Sequence, residues 1–122
     1  MSAENEKIVT DFCQAWSRMN IEEILGFMTE DAVYHNIPMP PAKGKTAIRA
    51  AVAGFLKMSD GIEFKILHTA SAGNLVMNER VDSFQFKGGK TGSVPVAGVF
   101  EVTGGKISAW RDYFDMKMAG VG

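Results

Sequence analysis

The chain has 122 residues, 46% of them hydrophobic and 22% charged, which is the size and balance of one domain over residues 1–122 with its own packed core. Thirteen Lys and Arg against fourteen Asp and Glu leave a net charge of −1, so the surface is not built to neutralise nucleic-acid phosphates or an anionic membrane. No apolar run approaches the roughly 18 to 20 residues of a membrane span, and the polar start Ser2, Glu4, Asn5, Glu6 is unlike a signal peptide, so a cytoplasmic protein without nucleic-acid or membrane partners is expected.

Ile8, Phe12, Trp16 and Met19 recur at three- and four-residue steps and predict an amphipathic helix over residues 3–19 with one face in the core. Asn20, with Glu23 three positions on, has the form of a capping box. It opens a short second helix whose buried stripe is Ile24, Leu25 and Met28 and which ends before Thr29. A first strand then carries Tyr34 and Asn36 on one face and His35 on the other, and Pro38-Met39-Pro40-Pro41 reads as a rigid ordered loop. A third helix fits residues 44–58, where Ile48, Val52, Phe55 and Leu56 keep helical spacing and Ser59, Asp60 and Gly61 stop it.

Four runs rich in β-branched and aromatic residues follow, at 62–70, 74–86, 91–102 and 106–115, separated by Gly73, Gly88-Gly89 and Gly104-Gly105. Short turns between consecutive strands predict an antiparallel meander, and helices ahead of strands predict an α+β domain. The expected architecture is a strongly curved antiparallel or mixed sheet, its concave face covered by the three helices around a central pocket.

Strand alternation places Asn78, Arg80, Asp82 and Phe84 on one face, and Trp110, Asp112 and Phe114 on one face of the last strand. A lone acid between Trp110 and Phe114 belongs in a core only if it is paired, because burying an unpaired carboxylate costs several kcal/mol. Arg80 is its natural partner: one guanidinium fork between Asp82 and Asp112 can hydrogen-bond both. Two carboxylates exceed one cation, so the surplus negative charge favours keeping one carboxyl protonated, which sets an acid beside a base. Tyr34 and Asn36 add a hydroxyl and an amide able to position water. A buried Arg–Asp cluster also occurs as a purely structural device, and a strand-end tyrosine as a packing residue.

The segments Tyr34-His35-Asn36-Ile37-Pro38-Met39-Pro40-Pro41, Glu79-Arg80-Val81-Asp82 and Trp110-Arg111-Asp112-Tyr113-Phe114-Asp115 resemble those of the limonene-epoxide hydrolase family, in the same order and over roughly residues 5 to 115. The resemblance implies a cone-shaped α+β domain of the nuclear-transport-factor-2-like and ketosteroid-isomerase-like group. It makes Asp112 the general base that activates water and Asp82 the general acid that protonates the epoxide oxygen, with Arg80 bridging them. Tyr34 and Asn36 would hold the nucleophilic water with Asp112, for a one-step attack that needs neither metal nor cofactor. The product would be a vicinal diol. Family members usually continue past the last strand, whereas here only residues 116–122 remain, so the pocket is expected to be more open or closed by a partner subunit. Its apolar walls, from strand and helix phase, are expected to be Trp16, Phe55, Val76, Phe84, Val94, Val96 and Phe114, which suits a lipophilic epoxide.

Other signals carry less. Lys43-Gly44-Lys45-Thr46 and Gly89-Lys90-Thr91 end like a phosphate loop but lack its first glycine, since Met39 and Phe84 stand there. His35 and His68 are far apart and have no cysteine partners, and Cys13 alone makes neither a disulfide nor a zinc site. The methionines read as core filling. Two alternatives stay open: an isomerase or cyclase of the same fold group with Asp112 as base, and a non-catalytic domain that binds an apolar ligand. A homodimer is expected, because Val81, Val99 and Tyr113 point out from the convex face and need cover.

Overall fold

The computed structural model describes residues 2–118. Helix α1 (Ser2–Ala15) passes into a 3₁₀ turn (Trp16–Arg18), followed by α2 (Ile21–Gly26), β1 (Met28–Asn36), β2 (Ala42–Lys43), α3 (Lys45–Lys57), β3 (Ser59–Ala72), β4 (Leu75–Phe86), β5 (Thr91–Thr103) and β6 (Lys106–Tyr113). The six strands form one sheet in the order β2-β1-β6-β5-β4-β3. Strands β3 to β6 are the expected antiparallel meander, and β1 joins β6 in parallel, which makes the sheet mixed. Helices α1 and α3 pack on this sheet, α1 against β3 and β4 and α3 against β1.

The first helix is shorter than the hydrophobic stripe predicts. It ends at Ala15, and the chain turns at Met19, the one non-glycine residue at positive φ (53°) among those described. That turn frees Asn20 to cap α2, its side chain accepting the Glu23 backbone N–H at 3.1 Å. Only half of a capping box forms, because the Glu23 carboxylate pairs with Arg18 instead. The buried face of α1 is Val9, Phe12 and Cys13, continued by Trp16, while Ile8 and Met19 are only partly buried. Met28 opens β1 and belongs to no helix.

Ser59, Asp60 and Gly61, expected to be a stop between elements, are already strand: Ser59 faces Phe86 and Gly61 faces Gln85. At the far end β6 stops at Tyr113, where the Asp115 carboxylate turns back to accept the N–H groups of Lys117 and Met118. The predicted separators Gly73, Gly88, Gly89, Gly104 and Gly105 all sit at positive φ, where a side chain would strain the turn. The loop after β1 holds the short strand β2, pairing Ala42 with Tyr34 and Lys43 with Val33.

The core is aromatic at its centre. Trp110 of β6 packs edge-on to Phe12 of α1 (ring centroids 4.9 Å apart) and lies face to face with Phe100 of β5 (5.7 Å) and with Tyr34 of β1 (4.2 Å). Trp16 stacks on Phe64 of β3 at 5.1 Å. These rings bury large apolar areas and hold the helices on the concave side of the sheet. No helix among the described residues is long and apolar enough to cross a membrane.

Candidate active site

Cross-strand register brings the polar residues together. Asn78 of β4 faces Gly98 of β5, Gly98 faces Asp112 of β6, and Asp112 faces Asn36 of β1, so one row crosses four strands. The next row runs from Val76 through Phe100 and Trp110 to Tyr34. Alternation along β4 turns Asn78, Arg80 and Asp82 inward, and all three are buried, as is Asp112.

Arg80 has no exposed surface, and all five of its N–H groups are used. Nε and Nη2 donate to the two oxygens of Asp82 at 3.0 and 2.9 Å. Nη1 and Nη2 donate to the two oxygens of Asp112 at 3.2 and 2.8 Å. The remaining Nη1 hydrogen goes to Asn78 Oδ1 at 3.0 Å, and the guanidinium carbon lies 4.9 Å from the centre of the Phe64 ring. Trp110 Nε1 donates to Asp112 Oδ1 at 2.6 Å. Asp112 Oδ1 therefore takes two donors, while Oδ2 takes one and keeps a lone pair available.

Electrostatics divides the two acids. Burial pushes both Asp82 and Asp112 above the ordinary carboxylate value, and the neighbouring Arg80 opposes the rise at each. Asp112 has a further donor in Trp110, which lowers it, whereas the Asp112 charge raises Asp82. Both acids are thus raised by burial and held down by the one cation they share, so the cluster carries one more potential negative charge than Arg80 balances. Burial opposes the charge on Arg80, but the two carboxylates outweigh it and hold the guanidinium firmly protonated. Burial also pushes the Cys13 thiol up to about 12, leaving it a protonated acceptor for Asn78 Nδ2 at 3.6 Å. Tyr34 is likewise raised, first by burial and then by Asp112, and stays a neutral hydroxyl. It accepts a hydrogen bond from Asn36 Nδ2 at 3.0 Å.

A cavity of about 570 Å³ opens above these groups. Asp82, Asp112, Tyr34 and Asn36 form its polar floor, and Trp16, Phe55, Phe84, Val94, Val96 and Phe114 are among its apolar walls. Val76, expected in the wall, is instead fully buried in the core, opposite Phe100 of β5. Arg80 does not line the cavity; it lies behind the two carboxylates and acts through them. Phe64, Phe86, Met39 and the α3 residues Ala50, Ala51 and Gly54 are among the wall residues beyond the sequence-based list. His35 is tied to the Met39 carbonyl at 2.8 Å. Among the described residues no group of three or more His, Cys, Asp or Glu is arranged to hold a metal ion.

Two members of the cluster were given no polar role by the sequence. Trp110 reads only as an apolar neighbour of Asp112 on the same strand face, yet its indole N–H donates to that carboxylate, a contact their alternation could have suggested. Gly98 carries no signal in a single chain, since its place beside Arg80 depends on the register of β4, β5 and β6.

A curved mixed sheet with three helices over its concave face, and a paired-acid site on the floor of the cavity, defines a member of the nuclear-transport-factor-2-like and ketosteroid-isomerase-like fold group. A protein of ketosteroid-isomerase-like fold from Catenulispora acidiphila superposes with a TM-score of 0.81 at 23% identity, covering 94% of this chain and 93% of that one. The family profile of the limonene-1,2-epoxide hydrolase catalytic domain matches residues 3–119, and the chain belongs to that family. Epoxide hydrolase EphG of Mycobacterium tuberculosis is 31% identical over 108 residues, covering 88% of this chain and 71% of its own length. A solved epoxide hydrolase of the same family type from M. tuberculosis has a TM-score of 0.87 at 28% identity, covering 98% of this chain and 88% of that one.

Proposed function

We propose that the protein adds water to an apolar epoxide in one concerted acid–base step and releases a vicinal diol. The observation that carries this reading is the single arginine fork shared by two carboxylates on the floor of an apolar cavity. In the resting site Arg80 is cationic, Asp112 ionised and Asp82 protonated, so the cluster is neutral as a whole, which suits its burial.

Tyr34, Asn36 and Asp112 hold the attacking water. Asp112 Oδ2, the oxygen with a free lone pair, takes the water proton as the water oxygen bonds to an epoxide carbon. The carbon–oxygen bond of the ring breaks, and Asp82 delivers its proton to the departing oxygen. After one turnover the proton has moved from Asp82 to Asp112 by way of substrate and water, and exchange with solvent resets the pair. Arg80 contacts both acids throughout, so it compensates charge at each stage without moving. A positioned acid or base contributes typically 10²- to 10⁴-fold each. The mechanism draws on no metal or cofactor.

The wall chemistry favours a lipophilic substrate, and the cavity is within the range of roughly 300–1,000 Å³ usual for small-molecule sites. Incubation with a panel of terpene, cycloalkene and aryl epoxides in ¹⁸O-labelled water is expected to give diols carrying one label, placed on carbon from the first turnover. Label appearing only after several turnovers would point to an enzyme ester instead, and an inert panel would reject the reading.

We also propose that the protein is a cytoplasmic homodimer. Cys13 is buried and unpaired, as suits a reducing compartment. On the convex face Met77 and Tyr113 are exposed, and register sets Val81, Pro95, Ala97 and Val99 beside them on neighbouring strands. Pairing two such faces would remove this apolar patch from water. Light scattering at micromolar concentration is expected to give twice the chain mass; a monomeric mass rejects the dimer.

A further inference from the structure

Arg80 can hold both acids only because the strand beside it leaves room. Gly98 sits mid-strand in β5 between Asn78 and Asp112. A Cβ at this position would lie 2.9 Å from both Asn78 Oδ1 and Asp112 Oδ1, and on top of Arg80 Nη1. None of these atoms can give way freely, since each is buried and already hydrogen-bonded within the cluster. Gly98 is not at positive φ, so its backbone conformation would accept any residue. Glycine here answers to the guanidinium and not to the chain. Asn78 closes the other side: its Oδ1 takes the Nη1 hydrogen that the acids leave over, and its Nδ2 is fixed on Cys13.

We propose that Gly98 and Asn78 form a seat for Arg80, and that these two positioning residues fix the guanidinium where it divides evenly between Asp82 and Asp112. The inference rests on the acid–base reading of those carboxylates and adds what sets their balance. Without the seat, Nη1 is pushed away from Asp112, while the Nε and Nη2 bonds to Asp82 keep Arg80 on that side. Asp112 then loses the Nη1 donor at Oδ1 and keeps Trp110 and a bond from a displaced Nη2, so in its buried place it holds its proton more tightly and is a poorer base at neutral pH. The charged and titratable groups facing Asp112 are Arg80 and Asp82 from β4, Tyr34 from β1 and Cys13 from α1; β5 presents only Gly98 at this row.

The test compares Gly98→Ala and Asn78→Ala with Gly92→Ala, a second β5 glycine whose added Cβ would meet only Phe86 at an ordinary 3.5 Å. Gly98→Ala and Asn78→Ala are expected to lower kcat/KM by about 10²-fold, as for a displaced catalytic group, and to move the acidic limb of its pH profile upward. Gly92→Ala should match the parent. Titration of the Asp112 carboxyl by ¹³C NMR should move upward in the same two variants, whether or not an epoxide is turned over. Parent-like titration in both variants overturns the seat. If the parent opens no epoxide and the titration still moves, the hydrolase reading falls and the seat stands. If Gly98→Ala does not fold, it is repeated with Arg80→Lys, which keeps the charge but lacks Nη1. Folding of the double variant supports the seat, and failure in that background too overturns it.

Discussion

Asp112→Asn is expected to lower epoxide hydrolysis by about 10²- to 10⁴-fold per folded molecule. The amide keeps the volume of the carboxylate and an oxygen able to accept from Trp110 Nε1 and Arg80 Nη1. It has no lone pair basic enough to take a proton from water. Asp82→Asn should lose activity on the same scale for the opposite reason, because an amide N–H is too weak an acid to protonate the leaving oxygen. Each change sets an amide N–H₂ against an Arg80 donor, a mismatch worth about 1–3 kcal/mol. If the cluster only supported the fold, the stability cost would be the same and activity would decline only with the folded fraction. Turnover corrected for folded fraction, with urea unfolding of the same samples, separates the two. A folded Asp112→Asn protein that opens the best epoxide at the parent rate defeats the mechanism.

The parts of this site that lie along one strand were legible in the sequence. Period-two alternation is rigid enough to put Asn78, Arg80 and Asp82 on one face, and the cost of a lone acid between Trp110 and Phe114 demanded a cation. Arg80 was the partner that the chain offered, and the structure places it there. What escaped depends on contacts between strands. Val76 has the right phase for the wall but lies too far along β4, beyond Arg80 and Asn78, beside Phe100 and away from the cavity. Phase tells which face a residue takes, not how far along the sheet the cavity extends. The early stop of α1 was hidden for a similar reason: Met19 continues the apolar stripe, but its left-handed conformation is set by the turn into the Asn20 cap.

Replacing Arg80 tests the charge balance from the side of stability. Arg80→Met keeps an apolar stem under Phe64 and removes the fork, leaving two acids in a buried place with no cation. The variant is expected to be about 3–5 kcal/mol less stable than the parent at pH 7. The deficit should depend on pH in a definite direction. Asp82 and Asp112 already have folded values above the ordinary carboxylate one, with burial as the leading cause and Arg80 as the force that holds them down. A raised folded value means that the folded state binds protons first. Each acid then contributes stability that is complete below its unfolded value and is lost as pH rises through the folded one. Without Arg80 both folded values climb further, so the window widens upward and the loss at neutral pH deepens. Lowering the pH toward about 4 should protonate both carboxyls in the folded variant, turn them into neutral hydrogen-bonding groups, and recover much of the deficit. Urea unfolding of parent and variant at the two pH values reads this directly. A deficit of equal size at both would show that Arg80 serves the fold by packing alone, and would remove the charge coupling on which the assignment of Asp82 as acid and Asp112 as base depends.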